Sequence, residues 1–231
     1  MIQGNRKSVK TLIGLGAGLL CAVFVAPGSA QAASMSFNFS GSVERVLGGV
    51  FTPGGYGADG FVTSLAASGG GTYNMLTTDR NSSPNVGFYR NAIQDFSVSV
   101  GTYVASFAPG TSFISVMNNA PRGGPDIYEL RVDGLSGEAV NGFKPARFVL
   151  RLTDPTGTAF SNDQLPAGPP SLSSFATSQF RLIFGTAGNF NRVQGGLTSL
   201  VPLPAAVWLF GAGLIALVGL GSRGLVSRKE S

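Results

Sequence analysis

Three side chains with oxygen ligands, Asp154, Asn162 and Asp163, flank the short segment 155–161. Carboxylate and amide oxygens on one loop are the ligands that Ca²⁺ takes in proteins. Residues 154–157 (Asp-Pro-Thr-Gly) also have the composition of a tight turn, in which Asp accepts backbone hydrogen bonds, Pro fixes φ and Gly takes an open conformation. We favour the turn, with calcium binding by Asp154 and Asp163 as the alternative.

A second candidate calcium site lies in the glycine-rich segment 54–61, whose letters are GGYGADGF. The segment fits one copy of the nonapeptide of calcium-binding β-rolls, with Asp59 as its carboxylate. Calcium in those proteins is held between successive copies, so stacked repeats are required. Only one copy is present, and a glycine-rich loop explains the segment equally well. We therefore expect no metal cofactor.

The composition excludes several kinds of active site. The chain has no histidine, which removes Ser-His-Asp triads, Cys-His pairs and imidazole metal ligands. A single cysteine, Cys21, can form neither an intramolecular disulfide nor a zinc site of the cysteine type. A binding or structural protein is therefore the simplest interpretation.

Two carboxylates could still hydrolyse a glycosidic bond without histidine. Ten acids lie between residues 33 and 200, and none is part of a recognisable catalytic motif; they are Glu44, Asp59, Asp79, Asp95, Asp126, Glu129, Asp133, Glu138, Asp154 and Asp163. We therefore do not expect an enzyme. A polysaccharide hydrolase that uses two of these acids is kept as a second alternative.

Aromatic rings could instead bind sugars by stacking on their faces. The chain has five tyrosines for such a surface, at positions 56, 73, 89, 103 and 128. The one tryptophan, Trp208, lies near the C-terminus and outside the central part of the chain. Carbohydrate-binding surfaces often use tryptophan, so the composition gives this alternative limited support.

The positive charge of the chain is confined to its two ends. The formal net charge is +5, from 16 Lys and Arg against 11 Asp and Glu. Residues 1–32 and 222–231 hold six of the basic residues and one acid, so residues 33–200 carry ten of each. Within that part, Glu129, Arg131 and Asp133 alternate in sign, which is typical of a solvated strand face. A nucleic-acid partner is therefore not expected.

The first 32 residues have the three parts of a secretory signal peptide. A basic start precedes an uncharged, mostly apolar run over residues 11–26, and a Pro-Gly-Ser sequence then breaks any helix. Ala30 and Ala32 form the small-x-small pattern that signal peptidase recognises, so we expect cleavage after Ala32 or an adjacent residue. An uncleaved membrane anchor is the alternative.

A second hydrophobic segment lies at the C-terminus. Residues 201–221 contain no charge and are long enough to cross a bilayer, with one transmembrane helix over about 205–221. Trp208 near its start suits the membrane interface, and a basic tail over 222–231 is expected to stay in the cytoplasm, since it carries Arg223, Arg228 and Lys229. The part between the two segments would then lie outside the cytoplasm.

The order of the C-terminal features is that of a protein-sorting signal. Residues 201–205 read Val201-Pro202-Leu203-Pro204-Ala205, and an apolar helix and a short basic tail follow. This segment resembles the PEP-CTERM class in its VPLPA variant, which exosortase-type membrane enzymes of Gram-negative bacteria process. Leu203 stands where the Pro-Glu-Pro form has glutamate. The resemblance implies export, transient anchoring in the inner membrane, cleavage near Pro204, and delivery to the cell surface or extracellular matrix.

Alternation of apolar and polar residues with period two dominates residues 33–200. Six segments follow this period, at residues 35–39, 96–100, 113–117, 128–132, 148–152 and 180–184, and at 113–117 we expect apolar residues on both faces of the strand. Segments rich in Gly, Pro, Asn, Asp and Ser separate them, and no helical period is present. The pattern predicts an all-β domain over 33–200, an antiparallel β-sandwich of roughly eight to eleven strands, with a jelly roll as the close alternative.

These features predict an exported, non-catalytic protein of the cell surface or extracellular matrix, with a structural or adhesive role. Its expected partners during export are signal peptidase, an exosortase-type processing enzyme and the inner membrane. The leading alternative is a carbohydrate-binding module for the exopolysaccharide of the host.

Overall fold

The computed structural model describes residues 34–50, 60–107, 111–120, 122–185 and 191–203. Two single-turn 3₁₀ helices, Gly48–Val50 and Leu172–Ser174, accompany eleven strands within these ranges. The strands are β1 (Ser34–Leu47), β2 (Ala66–Asn74), β3 (Val86–Arg90), β4 (Ile93–Val100), β5 (Tyr103–Phe107), β6 (Ser112–Met117), β7 (Asp126–Asp133), β8 (Leu135–Gly137), β9 (Pro145–Asp154), β10 (Thr177–Phe184) and β11 (Arg192–Leu203). All their pairings are antiparallel, so the all-β, antiparallel prediction is confirmed.

The two predicted terminal segments are not part of these ranges. The expected signal peptide over 1–32 and the expected transmembrane helix over about 205–221 both lie outside the described residues. Within the described residues, no helix has the length and apolar character needed to cross a membrane. Strand β11 runs to Leu203, so the sheet continues three residues past the position where the β-domain was expected to end.

The period-two pattern explains which residues face the core. Each of the six alternating segments lies in a strand, namely β1, β4, β6, β7, β9 and β10. In β1, Phe37 and Phe39 are buried, whereas Asn38 between them is exposed. Successive side chains of a strand point to opposite faces, so the apolar set covers one face of the sheet. Full burial of such a side chain contributes about 1.5–3 kcal/mol relative to exposure.

The eleven strands form one continuous hydrogen-bonded sheet. Its strand order is β3-β6-β7-β9-β10-β11-β1-β2-β4-β5-β8, which places the first and last strands side by side near the middle. The hydroxyl groups of Ser40 on β1 and Thr198 on β11 share a hydrogen bond of 3.2 Å there. Pairing of β1 with β11 shifts register between Ser40 and Gly41 and again between Val43 and Arg45. Such bulges bend a strand and increase its twist.

The sheet is curled, so that apolar side chains from distant strands of the same face pack against one another. Strands β4 and β9 are five positions apart in the sheet, yet the ring centroids of Phe96 and Phe148 are only 4.7 Å apart. The ring of Phe148 is also 5.2 Å from that of Phe39 on β1. In a flat sheet with the same strand order, β4 and β9 would lie more than about 20 Å apart, because neighbouring strands are spaced by about 4.8 Å. Curling therefore creates the core.

Glycine allows the central strands to approach closely. A Cβ atom added at Gly195 of β11 would overlap the carbonyl oxygen of Ser42 on β1, and it would also press on the ring of Phe180. Gly195 lies opposite Val43 in the register of these two strands. The close packing at the centre of the sheet thus depends on the missing side chain.

Candidate functional site

The first three residues of the sorting motif, Val201, Pro202 and Leu203, are the last residues of β11. They lie opposite residues 36–38 of β1. Val201 is 46% exposed, although it lies in a central strand. The remaining residues predicted for sorting and cleavage lie outside the described residues, and these are Ala30, Ala32, Pro204, Ala205, Arg223, Arg228 and Lys229.

The two ends of the described chain lie at the same end of the sheet. Strand β1 begins at Ser34, and β11 ends at Leu203. Because the two strands are antiparallel and Ser36 pairs with Leu203, the start of β1 is adjacent to the end of β11. Residues expected to follow signal-peptide cleavage and residues expected to precede sorting cleavage are therefore neighbours.

Asp154, one of the calcium candidates, is at the end of β9, where its carboxylate accepts several hydrogen bonds. Oδ1 accepts from the backbone N–H of Thr156 at 2.9 Å and from its hydroxyl at 2.6 Å. Oδ2 accepts from the backbone N–H groups of Thr158 and Ala159 at 2.8 and 3.1 Å, and from the Thr158 hydroxyl at 3.2 Å. These bonds, that of the Thr156 hydroxyl above all, hold the pKa of Asp154 well below its usual range.

The turn predicted at residues 154–157 is present. The backbone N–H of Gly157 lies 3.4 Å from the carbonyl oxygen of Asp154, and Gly157 has a φ of +68°. That left-handed conformation is the one that favours glycine. The sequence therefore identified the local roles of Asp154 and Gly157 in this turn.

The other calcium candidates are not gathered into one site. The backbone carbonyl of Asp163 accepts a hydrogen bond of 2.9 Å from the hydroxyl of Tyr89. The side chain of Asn162 accepts one from the backbone N–H of Gln164 at 2.9 Å. Across the described residues, no three His, Cys, Asp or Glu side chains form a group that could hold a metal ion. Asp59 lies outside those residues.

Asp126 is a buried carboxylate that the sequence did not single out. It lies on β7 directly opposite Asp154 on β9, and it is 0% exposed. Its Oδ1 accepts from the backbone N–H of Asn119, and its Oδ2 from that of Phe160, both at 2.7 Å. Together Asp126 and Asp154 hold the loop after β9 through consecutive backbone N–H groups. We call these two residues the aspartate pair.

The tyrosines that the structure describes do not form a sugar-stacking surface. Four of them are described, and each is at most 5% exposed; these are Tyr73, Tyr89, Tyr103 and Tyr128. The hydroxyl of Tyr73 donates to the carbonyl of Pro166, and that of Tyr103 to the carbonyl of Glu138, each at 3.0 Å. Burial raises the pKa of Tyr73 and of Tyr128 far above the usual range. For these four residues, the expectation of exposed sugar-binding rings is wrong.

One part of the outer surface is rich in hydroxyl groups and glycine. This hydroxyl face comprises the outward residues of β2, β4 and the first half of β1, and it holds a shallow groove of about 620 Å³. Ser40, Ser68 and Ser99 lie side by side on the three strands. Gly70 forms part of the groove floor, where a Cβ atom would overlap the side-chain oxygen of Asn38. The hydroxyl face thus exposes many hydrogen-bond donors and acceptors on small side chains.

The other part of the outer surface carries a row of residues that crosses seven strands. We call it the arginine row, and in spatial order it consists of Arg45, Gln194, Arg181, Val149, Arg131, Phe113 and Arg90. Each member is directly opposite the next in the register of the sheet. Four arginines therefore lie on one line across β1, β11, β10, β9, β7, β6 and β3.

The arginines of the row are regularly spaced. One lies on every second strand, from β1 through β10 and β7 to β3. Since neighbouring strands are about 4.8 Å apart, consecutive arginines are separated by about 9.5 Å along the sheet. Between them lie one amide, one aliphatic side chain and one aromatic ring.

Positive charge is concentrated around the row. Three further arginines, Arg147, Arg151 and Arg192, occupy the flanking outward positions of β9 and β11. Among the described residues the acids on this surface are Glu44, Glu129 and Asp133. Seven of the ten cations in residues 33–200 thus lie on the outer face of seven neighbouring strands, although residues 33–200 as a whole have no net charge.

Ion pairs neutralise only part of this charge. Asp133 contacts Arg131 at 2.8 Å and also pairs with Arg147, while Glu129 pairs with Arg151 at 3.2 Å. The guanidinium of Arg131 also lies over the ring of Phe113, 5.4 Å from its centroid.

The other three arginines of the row are accessible to solvent. Arg45, Arg90 and Arg181 are exposed, and within the described residues they form no ion pair.

No protein-family model, no curated protein and no solved structure matches the chain. The two surfaces and the aspartate pair are therefore interpreted from their own chemistry. The aspartate pair is enclosed and holds a loop. The arginine row and the hydroxyl face are open to solvent, and they are the candidate binding surfaces.

Proposed function

We propose that the chain is an exported protein of the cell surface or extracellular matrix, with a non-catalytic structural or adhesive role. In this proposal, signal peptidase removes residues 1–32, and the helix over about 205–221 anchors the chain in the inner membrane. An exosortase-type enzyme then cleaves near Pro204. The VPLPA motif followed by an apolar segment and a basic tail is the observation that carries this proposal.

The place of Pro204 in the sequence supports the position of the sorting cleavage. Pro204 directly follows Leu203, the last described residue of β11. A protease needs extended backbone that is free of ladder hydrogen bonds, and proline provides no backbone donor for such a bond. Cleavage near Pro204 would leave β11 complete and its pairing with β1 intact.

The absence of catalysis is supported by the state of the aspartate pair. Two neighbouring carboxylates are the minimum for glycoside hydrolysis, and they must face a cleft that admits a sugar and water. Asp126 and Asp154 are neighbours, but they are buried, and each of their carboxylate oxygens accepts at least one protein hydrogen bond. We therefore do not propose a polysaccharide hydrolase.

Carbohydrate binding is the second candidate function, and the outer surface favours it. The hydroxyl face offers serine, threonine and asparagine side chains around a shallow groove. Such groups can exchange hydrogen bonds with sugar hydroxyls, and the glycines let a ligand approach the backbone closely. A protein retained in an exopolysaccharide matrix would use this kind of contact.

We also propose that the two halves of the curled sheet act as the layers of a β-sandwich. The contacts of Phe148 on β9 with Phe96 on β4 and with Phe39 on β1 support this, because they join strands from the two halves. Aligned sheets in a sandwich pack about 10 Å apart with interdigitated side chains.

The sorting proposal is tested by following the size and location of the chain in a host with and without its exosortase. Without the enzyme, a longer, membrane-bound form should accumulate. The variant Pro204→Ala should slow processing in the intact host, whereas Pro84→Ala, in an exposed loop, should not. Unchanged size and location in the host lacking the enzyme would contradict the proposal.

The binding candidate has its own test. The purified full chain is titrated with the exopolysaccharide of the host, and thermal stability and tyrosine fluorescence are recorded. A ligand that binds only the folded state raises the midpoint of unfolding, and the stabilisation grows with the logarithm of the ratio of ligand concentration to Kd. Absence of any shift at saturating polymer would count against carbohydrate binding.

A further inference from the structure

We infer that the arginine row is the binding site for an acidic polysaccharide that carries one carboxylate per disaccharide. The polymer would cross the strands along the row, and Arg45, Arg181 and Arg90 would contact its carboxylates, while Arg131 keeps its ion pair with Asp133. This inference rests on the proposed function, because a matrix protein has such a polymer as its neighbour. Beyond the proposed function, the inference specifies that the ligand is anionic, where it crosses the sheet and which residues it contacts.

The first argument is the placement of charge. Arg45, Arg181 and Arg90 are exposed and form no ion pair within the described residues. They are held on a line by the register of the sheet. A guanidinium binds a carboxylate through two parallel hydrogen bonds, which gives such a contact direction as well as strength. The row therefore presents cations whose partners lie outside the described chain.

The second argument is the regular spacing. The backbones that carry arginines on alternate strands are separated by about 9.5 Å along the sheet. That distance is close to the length of two sugar units in an extended β-linked polysaccharide. A polymer with one uronate in every disaccharide therefore has carboxylates that match the strands of Arg45 and Arg181, one repeat apart, and the strand of Arg90, two repeats further. At physiological salt the Debye length is about 8 Å, so the arginines repel one another only weakly when the polymer is absent.

The third argument is what lies between the arginines. The side-chain oxygen of Gln194 accepts from the guanidinium of Arg192 at 3.1 Å, which leaves its amide N–H groups to donate to a sugar hydroxyl. Phe113 is half-buried, with its ring packed against Phe88 at 4.8 Å between centroids and under the guanidinium of Arg131. Val149 gives a small apolar contact. Sugars have both hydroxyl edges and apolar faces, so this alternation suits them.

Nucleic acid fits the row less well. Duplex DNA carries one charge per about 1.7 Å of its axis, which is far denser than one arginine per about 9.5 Å. Duplex readers also insert a helix or a strand ribbon into a groove, whereas the row lies across a sheet face. An acidic polysaccharide is therefore the occupant that the spacing favours.

The test compares two triple variants of the full chain, purified in mild nonionic detergent. The row variant is Arg45→Gln, Arg90→Gln and Arg181→Gln. The control variant removes the same charge elsewhere, by Arg80→Gln, Arg122→Gln and Lys144→Gln, and all three of those side chains are exposed. Circular dichroism and the unfolding midpoint establish that both variants are folded.

Hyaluronate is the probe, because it has one carboxylate per disaccharide, and dextran is its neutral counterpart. The row variant should bind hyaluronate at least about tenfold more weakly than the unmodified chain, with a shallower dependence on salt. The control variant should keep its affinity within about twofold, since none of its three charges belongs to the row. Dextran should bind neither protein through the row.

Several outcomes would overturn the inference. Equal losses in the two variants would mean that net charge alone governs binding. Equal affinity for dextran would remove the role of carboxylates, and tighter row-dependent binding of duplex DNA or of anionic lipid vesicles would assign the row to another partner. These measurements use purified protein, so they remain valid if the exosortase experiment shows no processing. A failed titration in turn leaves the sorting proposal standing.

Discussion

Asp126 on β7 and Asp154 on β9 lie directly opposite each other, and their carboxylates accept hydrogen bonds from the consecutive backbone N–H groups of Phe160 and Ala159. Two acids so close would normally repel each other. Here backbone N–H groups donate to both, and the hydroxyl groups of Thr156 and Thr158 also donate to Asp154, whose charged form they stabilise. The loop after β9 is consequently fixed to the end of the sheet.

Substitution of Asp126 by asparagine should destabilise the protein. Both carboxylate oxygens accept a backbone N–H, and an asparagine amide would place a donor against one of those donors. A buried donor without an acceptor costs about 1–3 kcal/mol in the free energy of unfolding. Urea unfolding of the full chain measures this loss. Asp163→Asn is the matched control, because its described bond uses only the backbone carbonyl, and its change should stay within about 0.5 kcal/mol.

Asp154 should make stability depend on acid pH. Its ordinary pKa is 3.8, and in the folded protein the pKa is lowered by the hydroxyl of Thr156 and by the backbone N–H groups of Thr158 and Thr156. A lowered pKa stabilises the folded state fully above 3.8, and this contribution is lost as the pH falls from there through the folded value. The difference in the free energy of unfolding between the unmodified chain and Asp154→Asn should therefore be constant near neutral pH and should shrink as the pH falls below 3.8. A difference independent of pH over the acid range would contradict this role.

Gly195 should not tolerate a side chain. Alanine there would overlap the carbonyl of Ser42 across β1 and β11, so two central strands would have to move apart. We expect Gly195→Ala to lower the free energy of unfolding by about 1–3 kcal/mol. Gly168→Ala, where nothing lies within 4 Å of the added Cβ, should change it by less than about 0.5 kcal/mol. Similar effects of the two variants in urea unfolding would refute the close approach.

Phe96 and Phe148 should be energetically coupled if the two halves of the sheet pack together. Their ring centroids are 4.7 Å apart, and both side chains are buried. Each single change to alanine should cost about 3–5 kcal/mol, and the double-mutant cycle should give a coupling of about 0.5–1.5 kcal/mol. The control cycle combines Phe148→Ala with Leu76→Ala, whose side chain is 71% exposed, and it should be additive. Additivity of Phe96 and Phe148 would contradict the packing of the two halves.

The sequence predicted the strands in which large apolar residues recur at alternate positions, and it missed strands in which such residues are isolated. Strand β2 has the sequence AASGGGTYN, and its three glycines and small residues give no period-two signal. It is a strand because β1 and β4 pair with it on both sides. Tertiary pairing, rather than local preference, determines its conformation.

The candidate surfaces depend on register, which a single sequence does not reveal. Each arginine of the row occupies an ordinary polar position in its own strand, and only the pairing of seven strands aligns them. Residues 33–200 have no net charge, because acidic residues elsewhere in this range balance the arginines. Asp126 was missed for a similar reason, since its partners Asn119 and Phe160 are 7 and 34 residues away.

The pairing of β1 with β11 also determines when the protein can finish folding. Ser40 and Thr198 meet across 158 residues of chain, so the middle of the sheet is made of its first and last strands. Contacts this distant in sequence form late, because the loop entropy must be lost before they contribute. If the chain is exported N-terminus first, β1 and its neighbour β2 must wait for β11 to leave the translocation channel. Completion of the sheet would then coincide with arrival of the sorting signal at the membrane, and an incompletely exported chain would remain unfolded at its centre.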